Sequence, residues 1–358
     1  MRRGLGRATA ALLIAHAVVL AAAFLWNIAW GAVSIPPGVV ARLLAEAGLG
    51  WPAPPVSDAV RTIVLVVRLP HAALTALVGM ALGASGAAYQ GLFRNPLAGP
   101  SVLGISSGAS LGVALVVLGA AMGQRGARLI EGLGTGGNLT LVLASALGAI
   151  LVLAAILVAA RFVDNVMTLL IIGLLGGLAL NAVVSVLIHF SRPELVQAYL
   201  SWTFGSFSSV TWREMRVFLP VLLLFSLLSL LVGKPLNGLL LGETYARSMG
   251  LGYLGVRLTV IGLTAVLVGC VTAYCGPVAF IGIAVPHLAR AAAATSDHRI
   301  LLPVSAALGA VVALGADILA QLPGSATVLP LNAVTALIGS PVIIWFILRR
   351  QRLQRDFF

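Results

Sequence analysis

The sequence predicts an all-α polytopic membrane protein, a bundle of about ten transmembrane helices forming a single domain over residues 1–358. Three observations carry this prediction. Of the residues, 60% are hydrophobic and only 9% are charged, against about 25% charged in a soluble domain; the mean hydropathy is +1.08. So few charges cannot cover a water-exposed surface. Apolar runs of helix length recur from one end of the chain to the other, and no polar stretch between them is long enough to fold as a separate soluble domain.

The first run, within MRRGLGRATAALLIAHAVVLAAAFLWNIAW, resembles a signal peptide in its basic start. Its apolar stretch is nevertheless long enough to cross a bilayer, and it is read as the first span, 8–30. The others fall at 70–91, 101–122, 138–160, 166–190, 215–233, 257–275, 277–294, 301–322 and 328–348. Residues 258–294 are almost unbroken, and Gly276-Pro277 divides them, because proline lacks the N–H that continues a helix. Segment 34–69 holds a surface helix (IPPGVVARLLAEAG), a proline-rich turn (WPAPP) and a return strand or helix. Segment 191–213 carries aromatics suited to the membrane–water interface. Placing both termini in the cytoplasm puts Arg2, Arg3, Arg7 and Arg349, Arg350, Arg352, Arg355 inside, requires an even number of spans, and leaves 34–69 and 191–213 outside.

Glycine-rich stretches (ALGASGAAYQG, GLLGGLALNAVVS, GAVVALGA) allow close backbone approach between helices, as packing faces or as the lining of a pathway. The net charge of +12 comes from arginines spread over loop ends with a single lysine, Lys234, which is a topology signal rather than a nucleic-acid patch. Cys270 and Cys275 lie on different faces of one apolar segment and imply neither a disulfide nor a metal site. The histidines His16, His71, His189, His287 and His298 show no ligand spacing, so no metal site is expected.

No GxxxxGK[ST] phosphate loop is present, and Lys234 sits in GKP, so the chain has no ATP site of that type. Asp317 is the only acid within an apolar run, which disfavours an ion-coupled secondary transporter. The residue sets of intramembrane proteases are missing, so the chain is read as a transport subunit and not an enzyme. A bundle with no engine needs a partner to move it. The stretch LNGLLLGETYARSMGLG, 236–252, is polar, bounded by glycines and predicted on the cytoplasmic side, which fits either a place for that partner to act or an ordinary solvated loop helix.

The blocks RLPHAALTALVGMALGASGAAYQGLFRNPLAGPSVLGISSGASLG (68–112), LLGETYARSMG (240–250), GPVAFIGIAVPHLAR (276–290) with DHR (297–299), ADILA (316–320) and LPLNAVTALIGSPVIIW (329–345) together resemble the FecCD-type permease family of iron-siderophore, haem and vitamin B12 ABC importers. The resemblance implies ten helices per subunit and an inverted repeat of helices 2–5 and 7–10. It implies a pair of permease subunits, identical or paralogous, in the bacterial inner membrane. Two separate ATPase subunits would hold ATP and magnesium, a periplasmic binding protein would deliver the cargo, and this chain would bind no cofactor. The cargo so implied is a ferric siderophore or haem; cobalamin and an oxyanion such as molybdate are the alternatives.

The resemblance also assigns residues. Gly242, Glu243, Thr244, Tyr245, Ala246, Arg247, Ser248, Met249 and Gly250, within the coupling segment 236–256, would dock on the ATPase. Glu243 and Arg247 are four apart, so they can pair on one helix face. Asn95, Pro96 and Leu97 would close the cytoplasmic end of the pathway, which Gly173, Gly176, Gly177, Asn181 and Ser185 would line. Arg68 would dock the binding protein; His71 and Gln321 stand where the vitamin B12 importer has further docking arginines.

Overall fold

The computed structural model describes residues 2–31, 33–52, 55–119, 137–207, 210–240, 242–321 and 328–355. Helix α1 spans Arg2–Ala29. Helix α2, Pro37–Leu49, is the surface helix expected within 34–69; it opens on a proline whose missing N–H costs nothing there and closes on Gly50 at φ 71°. The return is helical. Helix α3, Asp58–Thr62, passes through a π-helical turn, Ile63–Arg68, straight into α4, Leu69–Phe93.

The sequence places the start of this span at residue 70 and leaves Arg61 and Arg68 in the outside segment 34–69. The helix begins earlier because both charges are satisfied locally. Arg61 Nη2 lies 3.0 Å from Glu46 Oε2 of α2, and Arg68 donates to carbonyls at the end of α1.

The predicted third span is interrupted. A 3-10 turn, Pro100–Leu103, and Gly104 at φ 77° precede helix α5, Ile105–Val117; residues 120–122 of that prediction lie outside the described residues. Next come α6 (Gly137–Phe162), α7 (Val166–His189), α8 (Pro193–Thr203) and α9 (Trp212–Leu231). The predicted coupling segment forms two short helices, α10 (Gly233–Leu240) and α11 (Glu243–Ser248), parted at Gly242. Then follow α12 (Tyr253–Cys275), α13 (Ile281–Ala293), α14 (His298–Ala320) and α15 (Leu331–Arg355).

The chain breaks at Gly276, as predicted, but the next helix starts only at Ile281, because Gly276 and Phe280 both have positive φ (73° and 65°). Asn332 accepts from the Ala279 N–H at 3.1 Å and donates to the Thr203 carbonyl at 2.9 Å. Irregular backbone among membrane spans is tolerable only when protein groups satisfy it in this way.

Each of the ten predicted runs corresponds to an apolar helix. Among the described residues, six of these are long and apolar enough to cross a membrane, in α4 with its α3 extension, α6, α7, α9, α12 and α14, and α5 and α13 are shorter. At the centre, α4 crosses α14 and α13 at small residues, and every residue from Ala81 to Phe93 is buried. A Cβ on Gly79 would overlap the Gly309 carbonyl, one on Gly83 that of Ser305, and one on Gly86 that of Gly282. Without a hydrophobic drive between helices in lipid, such close backbone packing holds the bundle. The stretches around Gly83 and Gly309 are therefore packing faces. Helix α7 is the opposite case: it buries only Leu169, Gly173, Gly177 and Val184.

Candidate functional site

Two ends of the bundle carry the polar chemistry. At the Phe93 end of α4, Arg94 turns the chain at φ 46°. Asn95 Oδ1 accepts from the Leu97 N–H at 2.9 Å and the Asn95 carbonyl accepts from Ala98 N at 3.1 Å, so the loop is a closed turn. His287 Nε2, from buried α13, lies 2.9 Å from the Pro96 carbonyl. A carbonyl can only accept, so this nitrogen carries the proton. Leu97 projects, 48% exposed. The predicted gate residues Asn95, Pro96 and Leu97 thus form one rigid hook pinned by His287.

The α10–α11 segment sits at the same end. Asn237 of α10 donates to Asp297 Oδ1 at 2.6 Å and its oxygen accepts from the His298 N–H at 2.8 Å. Asp297 also caps α14 through Arg299 N at 2.9 Å. Burial pushes the Asp297 carboxyl up, but the Asn237 bond, the Arg299 N–H and the Arg299 charge outweigh it and hold the group below the ordinary carboxylate range. The His298 ring lies where a Cβ on Gly91 would be, so α10, α14 and the end of α4 meet at one point.

Helix α11 is bounded by Gly242 at φ 104° and Gly250 at φ 76°. Ala246 faces inward, fully buried, and its carbonyl accepts from Leu251 N at 3.0 Å. Tyr245 and Met249 face outward, 51% and 49% exposed. A short helix fixed at its back and presenting an aromatic and a methionine has the make-up of a protein-docking face. The Arg247 guanidinium lies 5.8 Å from the Tyr253 ring centroid. The expected partner Glu243, and Thr244 beside it, have side chains outside the described residues. Ser248 turns its hydroxyl back onto the Tyr245 carbonyl at 2.9 Å.

At the Leu69 end, Arg68, His71 and Gln321 do come together, around a cleft of about 340 Å³ that Asn27, Asp317, Ser206 and Phe207 also line. They are occupied there by the chain itself. Arg68 Nη1 donates to the Ile28 carbonyl at 2.8 Å and the Ala29 carbonyl at 3.2 Å, and Nη2 donates to Val33 O at 2.6 Å. This guanidinium closes the end of α1, whose last carbonyls have no partner within the helix. His71 Nε2 and Gln321 Nε2 meet Asp317 Oδ2 at 2.8 Å and 2.6 Å, and Asn27 Nδ2 donates to the same oxygen at 2.8 Å. Asp317 is 5% exposed. Three helices, α1, α4 and α14, are therefore tied to one buried carboxylate. The sequence reading picked out Asp317 as the only acid inside an apolar run but gave it no role, and it missed Asn27, whose partners are far away in the chain.

The five α7 residues divide. Gly173 packs on Leu103, and Gly177 packs on Gly104 and Ser107. Both hold α7 against the 3-10 turn and α5. Gly176, Asn181 and Ser185 are exposed, with Ser185 Oγ bonded to the Asn181 carbonyl at 3.0 Å. Only these three remain open to a pathway.

Residues 19–349 match the FecCD transport family. The vitamin B12 import system permease protein BtuC of Escherichia coli O9:H4 (strain HS) is 38% identical over 289 residues, 80% of this chain and 83% of that protein. The same permease of Shigella boydii serotype 18 (strain CDC 3083-94 / BS512) matches at the same identity and coverage. A solved structure, an inward-facing conformation of a metal-chelate type ABC transporter, superposes with a TM-score of 0.79 at 26% identity, covering 94% of this chain and 98% of that one.

Proposed function

The chain belongs to the FecCD transport family, and from that premise we propose that it forms the translocation pathway of a binding-protein-dependent importer for a bulky metal chelate. At the coarser level it is a multi-pass ABC importer permease of the inner membrane. In the finer reading two copies, or this chain and a paralogue, enclose the pathway between exposed faces such as that of α7. Two ATPase subunits bind at the Phe93 end, which faces the cytoplasm together with both termini. A binding protein delivers cargo to the Leu69 end.

One observation carries this reading: the α10–α11 segment. It is anchored behind by Asn237, Asp297 and Ala246 and presents Tyr245 and Met249 outward. A flexible loop could not transmit a push, whereas a short helix clamped to α14 can.

For cargo, family membership favours a ferric siderophore or haem, and a pathway of small residues admits any bulky chelate without selecting among them. The relatives named as vitamin B12 permeases favour cobalamin, itself a bulky metal chelate, as the second reading. The test is reconstitution in liposomes with the cognate ATPases and binding protein, measuring uptake of ferrichrome, haemin and cyanocobalamin. Uptake of one of them, dependent on ATP and on the binding protein, is expected. ATP hydrolysis by the purified chain alone, or uptake without the ATPases, would overturn the assignment.

A further inference from the structure

Arg257, in the second turn of α12, is 1% exposed, yet only part of its guanidinium is used. Nη1 donates to the Val163 carbonyl at 2.8 Å and to the Asp164 carbonyl at 3.3 Å. Nε and Nη2 are buried with no hydrogen-bond partner among the described residues. A buried cation with idle donors carries a desolvation cost that a carboxylate in fork geometry would relieve.

Such a carboxylate is adjacent. Asp164 lies in the turn between α6 and α7, with its backbone oxygen already bonded to Arg257. No described residue holds its side chain in a hydrogen bond or ion pair. Asp164 is exposed, and it lines a cleft of about 310 Å³ together with Phe93, Arg94, Leu239 and Tyr253. It therefore has room to turn. That cleft lies between the loop that begins at Arg94 and the two helices, α10 and α12, that flank α11.

One ring contact and one shared helix face relate α11 to Arg257. Arg247 lies over the Tyr253 ring. Tyr253 and Arg257 are four residues apart on α12, hence on one face. Arg257 in turn holds the end of α6.

We propose that Arg257 is a two-position latch between the α11–α12 segment and the α6–α7 turn. In the conformation described here Nη1 grips the carbonyls that end α6. When an ATPase displaces α11, the Asp164 carboxylate takes Nε and Nη2, and the α6–α7 turn moves with α12, altering the cleft beside loop 94–97. Arg257 and Asp164 are positioning residues, and the inference rests on the proposed ATPase contact at α11.

The test is amide hydrogen exchange over 163–167 and 242–250 in the full complex in liposomes, with and without Mg-ATP. In the wild type, Mg-ATP should change exchange over 163–167 by about tenfold, the lower end of what a charge-assisted hydrogen bond supplies. Asp164→Asn, a change at an exposed position, should keep the wild-type melting temperature and lose that response. Asp164→Glu should restore it, and Arg94→Gln should retain it. A response over 163–167 that survives in Asp164→Asn, or is lost in Arg94→Gln, overturns the latch alone. No ATP-driven change over 242–250 in the wild type overturns the ATPase contact and the latch with it.

Discussion

Arg68→Ala separates two roles for one side chain. The family resemblance makes Arg68 a docking cation for the binding protein, whereas the structure spends its donors on Ile28, Ala29 and Val33. If the internal role dominates, the variant is destabilised with no partner present. A hydrogen bond to a charged group contributes about 1.5–3 kcal/mol. Arg68 is only half-buried and two of its bonds share Nη1, so the loss should be about 2–4 kcal/mol rather than the full sum. The effect should concentrate where α1 ends. The Trp30 N–H bonds to Trp26 O at 2.9 Å and the Ile35 N–H to Ala29 O at 3.1 Å, so these two amides report on the closure. Their exchange in the detergent-solubilised chain should accelerate by about 30-fold or more, with a lower melting temperature. Arg68→Lys should fall between, since an ammonium cannot span three carbonyls as a planar fork does. Wild-type exchange at both amides, wild-type melting and a specific loss of binding-protein association would refute the reasoning and return Arg68 to the docking surface.

Three further outcomes follow from the same packing and electrostatics. Gly86→Leu should cost about 1–3 kcal/mol or more, because the obstacle is the Gly282 carbonyl rather than a movable side chain, and it should show as loss of the monodisperse folded chain on size exclusion. The depressed Asp297 carboxyl contributes stability that is whole above the ordinary Asp value of about 3.9 and is lost as pH falls through its lower folded value; hydrogen exchange of α10 should therefore rise only in strongly acidic buffer, and Asp297→Asn should abolish that rise. Two glycines inserted after Ala246 should leave the chain folded and ATP hydrolysis intact in the reconstituted complex while uptake stops; full uptake by this variant would reduce α11 to a solvated loop.

Much of the fold was legible because lipid enforces a simple rule: a spanning segment must be apolar for a helix length and must satisfy its own backbone. That rule located all ten apolar helices and the break at Gly276. It failed where polar groups are satisfied by distant residues. The predicted span starts later than α3–α4 does because Arg61 and Arg68 belong, by sequence, to the outside segment 34–69, and only the fold shows Glu46 and the end of α1 beside them. The late start of α13 depends on Asn332, which serves the Ala279 and Thr203 backbone from a different helix. Hydropathy carries no trace of such a pairing.

The site was legible in the same uneven way. Gly242 and Gly250 announce a bounded element, and both take the positive φ that favours glycine. Glycine alone cannot say which way a helix faces, so Gly173 and Gly177 fell in with Gly176 although they pack on Leu103, Gly104 and Ser107. The Leu69 end makes the point most sharply. Read singly, His71 and Gln321 are two absent arginines. Read with Asp317 and Asn27, they are the donors that allow an acid to be buried where α1, α4 and α14 meet. An arginine added at position 71 would place a second guanidinium beside Arg68 in the same cleft, and it would have to displace a ring already bonded to Asp317. In this chain, docking charge at position 71 and cohesion of the rim compete for the same carboxylate, and the arrangement observed favours cohesion.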